Sequence, residues 1–103
     1  MARASLDLEV LAERAGDAAK TLKLLANENR LLILCQLVAA RELAVGALVD
    51  AVGLSQSALS QHLARMREDG IVTTRKEGQT VFYRIQNPDI GRILKLLKEI
   101  YCP

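Results

Sequence analysis

Residues 53–72 read GLSQSALSQHLARMREDGIV, a glycine-led helical segment whose outer positions hold small polar side chains. A solvated helix ordinarily carries Glu and Lys, which favour helix and pair with one another. Here Ser55, Gln56, Ser57, Ser60 and Gln61 stand in their place. Leu59, Leu63 and Met66 recur at inward spacing, so Gln56 to about Arg67 forms an amphipathic helix with its polar groups near the N-terminal end. Gly53 can take the left-handed conformation that closes a preceding helix, and Ser55 can cap the next one with its hydroxyl. Two short helices joined by so tight a turn make a helix-turn-helix.

Upstream, RELAVGALVDAVGLS (residues 41–55) supplies the helix that precedes this turn, with Val45, Leu48, Val49 and Val52 as its apolar positions. NENRLLILCQLVAA (residues 27–40) opens with Asn27 as an N-cap and is apolar on nearly every side, which predicts a central helix. Within it Leu31, Cys35 and Val38 share one stripe, and Ile33, Leu34 and Leu37 another. Leu6, Leu8, Leu11, Ala15, Ala18, Ala19, Leu22 and Leu25 predict an amphipathic first helix. Downstream, IVTTRKEGQTVFYRI (residues 71–85) is rich in β-branched and aromatic residues around a KEGQ turn and reads as a two-stranded hairpin. NPDIGRILKLLKEIYC (residues 87–102) has Asn87 as N-cap and Pro88 at the first helical position of a last helix. The expected fold is mainly α with a small β-hairpin, in the order α-α-α-α-β-β-α: a winged helix-turn-helix.

The chain has 103 residues, enough for a single domain spanning 1–103. Half of the residues are hydrophobic but only 3% are aromatic, so the interior is built from Leu, Ile, Val and Ala. One subunit would struggle to bury that much aliphatic surface, which predicts a subunit interface. Residues 1–55 carry six basic and seven acidic side chains, residues 56–103 eight and five, so the C-terminal half is the anion-facing candidate. No apolar run is long enough to cross a bilayer and no leader segment is evident, so a cytoplasmic protein is expected. The two cysteines form neither a CxxC motif nor a dense disulfide framework, and in a reducing compartment they rest as thiols.

Gln pairs bidentately with adenine, and Ser donates or accepts at several base edges without the bulk that keeps a helix out of a major groove. A helix N-terminus adds free amides and partial positive charge. Ser55, Gln56, Ser57, Ser60 and Gln61 are therefore candidate contacts to double-stranded DNA, with His62 and Arg65 beside them. Arg75, Lys76 and Arg84 suit a wing that grips phosphate. The plain alternatives are a solvated helix and a hairpin kept soluble by its charges. His62 is the only histidine, and a lone imidazole without neighbouring ligands makes a poor metal site.

These residues resemble a family. LLANENRLLILCQL (residues 24–37) is similar to the second-helix hallmark of the ArsR/SmtB superfamily of dimeric winged-helix repressors, and residues 42–72 with EGQTVFYRI (77–85) are similar to its DNA-reading helices and wing. The resemblance covers nearly the whole chain. It implies a homodimer built on the first and last helices, with two recognition helices in successive major grooves of an inverted-repeat operator. Metal-sensing members carry a cysteine pair in the third helix, where this chain has Ala44 and Gly46, and the last helix has Asp89 and Glu99 but no histidine. The resemblance thus points away from a metal site, and no cofactor is expected.

Cys35 in the second helix and Cys102 at the end of the last resemble the SqrR/BigR-type persulfide sensors of this superfamily and the related HlyU regulators. In that branch two thiols of one subunit are bridged by reactive sulfur species and the protein leaves its operator. Peroxide or disulfide stress is the competing inducer, and an antirepressor role the competing output. Taken singly, Cys35 reads as a small buried hydrophobe and Cys102 as a frayed penultimate residue. An enzyme is disfavoured, because the chain offers no phosphate loop, no acid–base pair and no second histidine. A pure protein-interaction module remains the other class, separable by salt-sensitive DNA retention.

Overall fold

Local caps set most of the element boundaries. The computed structural model describes the backbone of residues 3–102 and the side chains of residues 8–102; the side chain of Leu6 lies outside the described residues. Helix α1 spans Arg3–Leu25 and α2 spans Glu28–Ala40. Between them Asn27 is extended, and its Oδ1 accepts the Arg30 backbone N–H at 3.1 Å. Helix α3 (Val45–Val52) ends at Gly53, whose φ of 80° is left-handed and whose N–H donates to the Val49 carbonyl at 3.0 Å. Helix α4 (Gln56–Glu68) begins behind Ser55, whose Oγ accepts the Ala58 N–H at 3.1 Å. Helix α5 (Pro88–Tyr101) starts behind Asn87, whose Oδ1 accepts the Asp89 N–H at 2.9 Å.

The hairpin is β2 (Val72–Glu77) and β3 (Thr80–Ile85), and the structure adds a strand beside it, β1 (Leu43–Ala44). Sequence periodicity assigned these two residues to the third helix; they instead pair antiparallel with β3, Leu43 opposite Tyr83 and Ala44 opposite Phe82. The sheet order is β1-β3-β2. Strand alternation puts Leu43, Val72, Tyr83 and Ile85 on the face packed against the core, and Ala44, Arg75, Phe82 and Arg84 on the other.

The core gathers Ile33, Leu34 and Leu37 of α2 with Leu48, Leu59, Leu63, Met66, Val72, Ile90 and Leu94, all essentially inaccessible to water. Of the two stripes on α2, only the Ile33/Leu34/Leu37 one is enclosed. Leu31 and Val38 are half-buried, and Cys35 is exposed where a buried small hydrophobe was the plain expectation. Residues 8–20 of α1 are exposed throughout; at its end Leu25 joins the core and Leu24 packs against it. Leu8, Leu11 and Leu22 on α1 and Leu96, Ile100 and Tyr101 on α5 leave two apolar helix faces open.

Candidate nucleic-acid interface and thiol groove

Leu59, Leu63 and Met66 anchor α4 in the core, and the opposite side of the helix is open. Gln56, Ser57, Ser60, Gln61 and Arg65 are exposed, and His62 sits half-buried at the border of the packed face. The Ser55 hydroxyl is committed to its cap, with Ser57 Oγ 3.5 Å away. At the far end Arg65 Nε lies 3.5 Å from Asp69 Oδ2. The small polar groups therefore cluster on the first two turns, beside the free N-terminal amides and positive end of the helix.

The three basic residues of the wing are not equivalent. Lys76 and Arg84 are exposed and form no ion pair among the described residues. Arg75 is engaged at each of its three nitrogens: its Nε donates to both carboxylate oxygens of Glu42 at 2.9 and 3.1 Å, its Nη2 donates to Glu42 Oε1, and its Nη1 donates to Glu77 Oε2 at 2.7 Å. The guanidinium lies over the Phe82 ring, 4.6 Å from its centroid. Its hydrogen bonds, then the charges of Arg75 and Arg84, hold the Glu42 carboxyl below the usual carboxylate range. Glu42 went unremarked in the sequence because its partner is 33 residues away, and no local pattern joins them.

Cys35 of α2 and Cys102 at the C-cap of α5 line one groove of about 640 Å³ between the two helices. Leu31, Val38, Leu94, Leu97 and Tyr101 form its walls together with Lys95 and Lys98, and the lining is largely apolar. Both thiols are free and exposed. Partial desolvation of the sulfur by the groove walls, and secondly the neighbouring Cys102, push the otherwise exposed Cys35 thiol above its ordinary value. The Cys102 N–H donates to the Lys98 carbonyl at 2.7 Å, which fixes the end of α5. Among the described residues no three His, Cys, Asp or Glu side chains gather as a metal site, and no helix is long and apolar enough to cross a membrane.

Residues 27–74 match the family profile described as bacterial regulatory protein, arsR family. The transcriptional activator HlyU of Vibrio cholerae serotype O1 is 48% identical over 99 residues, covering 96% of this chain and 91% of that protein. The crystal structure of the transcriptional regulator HlyU from Vibrio vulnificus superposes with a TM-score of 0.86 at 49% identity, covering 93% of this chain and 99% of that one. The transcriptional repressor BigR from Xylella fastidiosa superposes with a TM-score of 0.85 at 37% identity, covering 92% and 96% of the two chains.

Proposed function

Since the chain belongs to the arsR family of bacterial regulatory proteins and is a winged-helix transcriptional regulator, we propose that it is a cytoplasmic dithiol repressor, bound to an inverted-repeat operator when reduced and released when Cys35 and Cys102 are bridged by reactive sulfur species. The observation that carries this reading is the meeting of the two thiols, from α2 and from the end of α5, in one groove.

On the DNA side, α4 enters the major groove. Gln56, Ser57, Ser60 and Gln61 read base edges, the capped N-terminus at Ser55 faces phosphate, and His62 and Arg65 lie along the flank. Lys76 and Arg84 supply wing charge; Arg75 belongs to the same wing but is held by two carboxylates. The exposed apolar faces of α1 and α5 form a homodimer, and the two-fold axis sets the spacing of the half-sites.

On the sensing side, an organic trisulfide R–S–S–S–R serves as oxidant. One cysteine thiolate attacks its central sulfur and expels RS⁻, leaving a mixed trisulfide; the second thiolate attacks that same sulfur and expels the second RS⁻. The product is a Cys35–S–Cys102 bridge with one added sulfur, and the oxidant leaves as two thiolates. Either thiol can make the first attack, since both are free and exposed in the groove, and the other closes the bridge. Tying α2 to α5 alters the dimer geometry, and a coupling of about 1–3 kcal/mol changes operator affinity by roughly five- to 150-fold. The name of the activator HlyU favours a second output, in which the same DNA-bound protein raises expression by displacing another repressor.

The test is intact-mass measurement of the reduced protein after brief polysulfide exposure and alkylation, paired with DNA release by Cys35→Ser and Cys102→Ser. Loss of both thiols with retained sulfur, and variants that stay bound, are expected. Two alkylatable thiols at unchanged mass, or release of both variants by polysulfide, refute the mechanism.

A further inference from the structure

We propose that Glu42 and Arg75 are positioning residues for DNA binding: their pair holds the wing against the end of α2, and Arg75 acts on affinity through wing placement, not through a phosphate contact. The proposal rests on the DNA-binding reading above.

The sheet register lays out the pair. Arg75 of β2 is opposite Phe82 of β3, and Phe82 is opposite Ala44 of β1, so the three form one cross-strand row on the face turned away from the core. Glu42 shares that face two residues before Ala44. From β2, at one edge of the sheet, the guanidinium passes over the Phe82 ring and reaches the carboxylate leading into β1, at the other edge. Ala44 carries only a methyl group, so a small side chain occupies the third place in the row. Val72, Tyr83 and Ile85 seat the inner face of the hairpin on the core; on its outer face, without this span, the hairpin would be joined to the preceding segment only through the short β1–β3 ladder, which pairs Leu43 with Tyr83 and Ala44 with Phe82.

The hydrogen-bonding geometry leaves Arg75 poorly placed to serve phosphate. Nε and Nη2 face Glu42, Nη1 faces Glu77, and one side of the plane covers the ring. Two carboxylates against one guanidinium leave no positive surplus at this spot, whereas Lys76 and Arg84 are unpaired among the described residues. A planar, bidentate pair is a use of arginine that lysine cannot reproduce. The other end of the pair is equally fixed. Glu42 follows Arg41, which closes α2 with a φ of 72°, so the carboxylate is tied to the end of the helix that carries Cys35.

The deciding experiment measures the affinity of the reduced full-length protein for a duplex that the wild-type chain selects from a randomised pool, across a series of salt concentrations. Glu42→Gln, Arg75→Gln and Arg84→Gln are compared after thermal melts establish that each is folded. The expected result is that Glu42→Gln and Arg75→Gln both weaken binding several-fold with no change in the slope of log affinity against log salt. Arg84→Gln, losing one phosphate contact in each subunit, reduces the slope by about 0.9 per subunit, or about 1.8 for the dimer. The opposite pattern overturns the proposal: if Arg75 grips phosphate, Arg75→Gln reduces the slope, and Glu42→Gln tightens binding by removing a competing carboxylate. If the wild-type chain shows no salt-sensitive retention of any duplex, the DNA-binding reading itself falls, and the proposal falls with it.

Discussion

Replacing Gly53 by Ala tests the turn that aims the recognition helix. A methyl group built on Gly53 meets nothing within 4 Å, so the substitution creates no clash and its effect is conformational alone. At φ +80° an L-residue pays about 1–2 kcal/mol for the left-handed conformation. Loss of glycine freedom in the unfolded chain returns about 0.4–1 kcal/mol, leaving a net destabilisation of roughly 1 kcal/mol. Gly91 supplies the control. It too has open space, but it lies within α5 at an ordinary helical φ, where Ala is favoured by about 0.5–1 kcal/mol. Two chemically identical substitutions should therefore move stability in opposite directions. For a chain of this size the Gly53→Ala loss corresponds to a melting shift of about 4–8 °C. Urea unfolding followed by far-ultraviolet circular dichroism, at one fixed protein concentration and under reducing conditions, reads both changes. The reasoning is refuted if Gly53→Ala is as stable as the parent, or if both variants shift the same way.

Two further outcomes are expected. Alkylation of Cys35 is slow at neutral pH and accelerates about tenfold per pH unit to a midpoint above that of a free cysteine, because burial disfavours the thiolate. Cys102→Ser lowers that midpoint only slightly, since burial is the larger cause; rapid Cys35 alkylation at pH 7, measured by mass spectrometry of the Cys102→Ser protein, contradicts this. Gln56→Ala and Gln61→Ala relax base preference at defined positions of the selected duplex while leaving the salt slope unchanged. Unaltered specificity and affinity in both would remove α4 from the base-reading role.

What could be read from sequence was local. Asn27, Ser55 and Asn87 cap the residues two or three positions ahead of them, and Gly53 closes the turn it adjoins, so each carries its signal within its own neighbourhood. The fully buried Leu59, Leu63 and Met66 follow from spacing alone. Strand β1 could not be read this way, since two residues have no period and their partners are some forty positions downstream. The pairing of Arg75 with Glu42 was hidden for the same reason: a basic residue in a hairpin reads as free charge until its carboxylate is found elsewhere in the chain. The meeting of Cys35 and Cys102 came only from the family resemblance, because no physical pattern links a helix-face cysteine to a C-cap. For α1, spacing gave the apolar side but not the surface it packs on.

Tyr101 gives the thiol groove an optical label of its own. The chain has no tryptophan and two tyrosines. Tyr83 is half-buried against the core in β3, while Tyr101 is 77% exposed on the wall of the groove, next to Cys102. Tyrosine emission of the unlabelled protein therefore carries a contribution from a side chain on the groove wall. A reaction at the neighbouring thiol would change the surroundings of that ring, so the free protein offers an optical readout of the groove without attaching a dye or adding a residue.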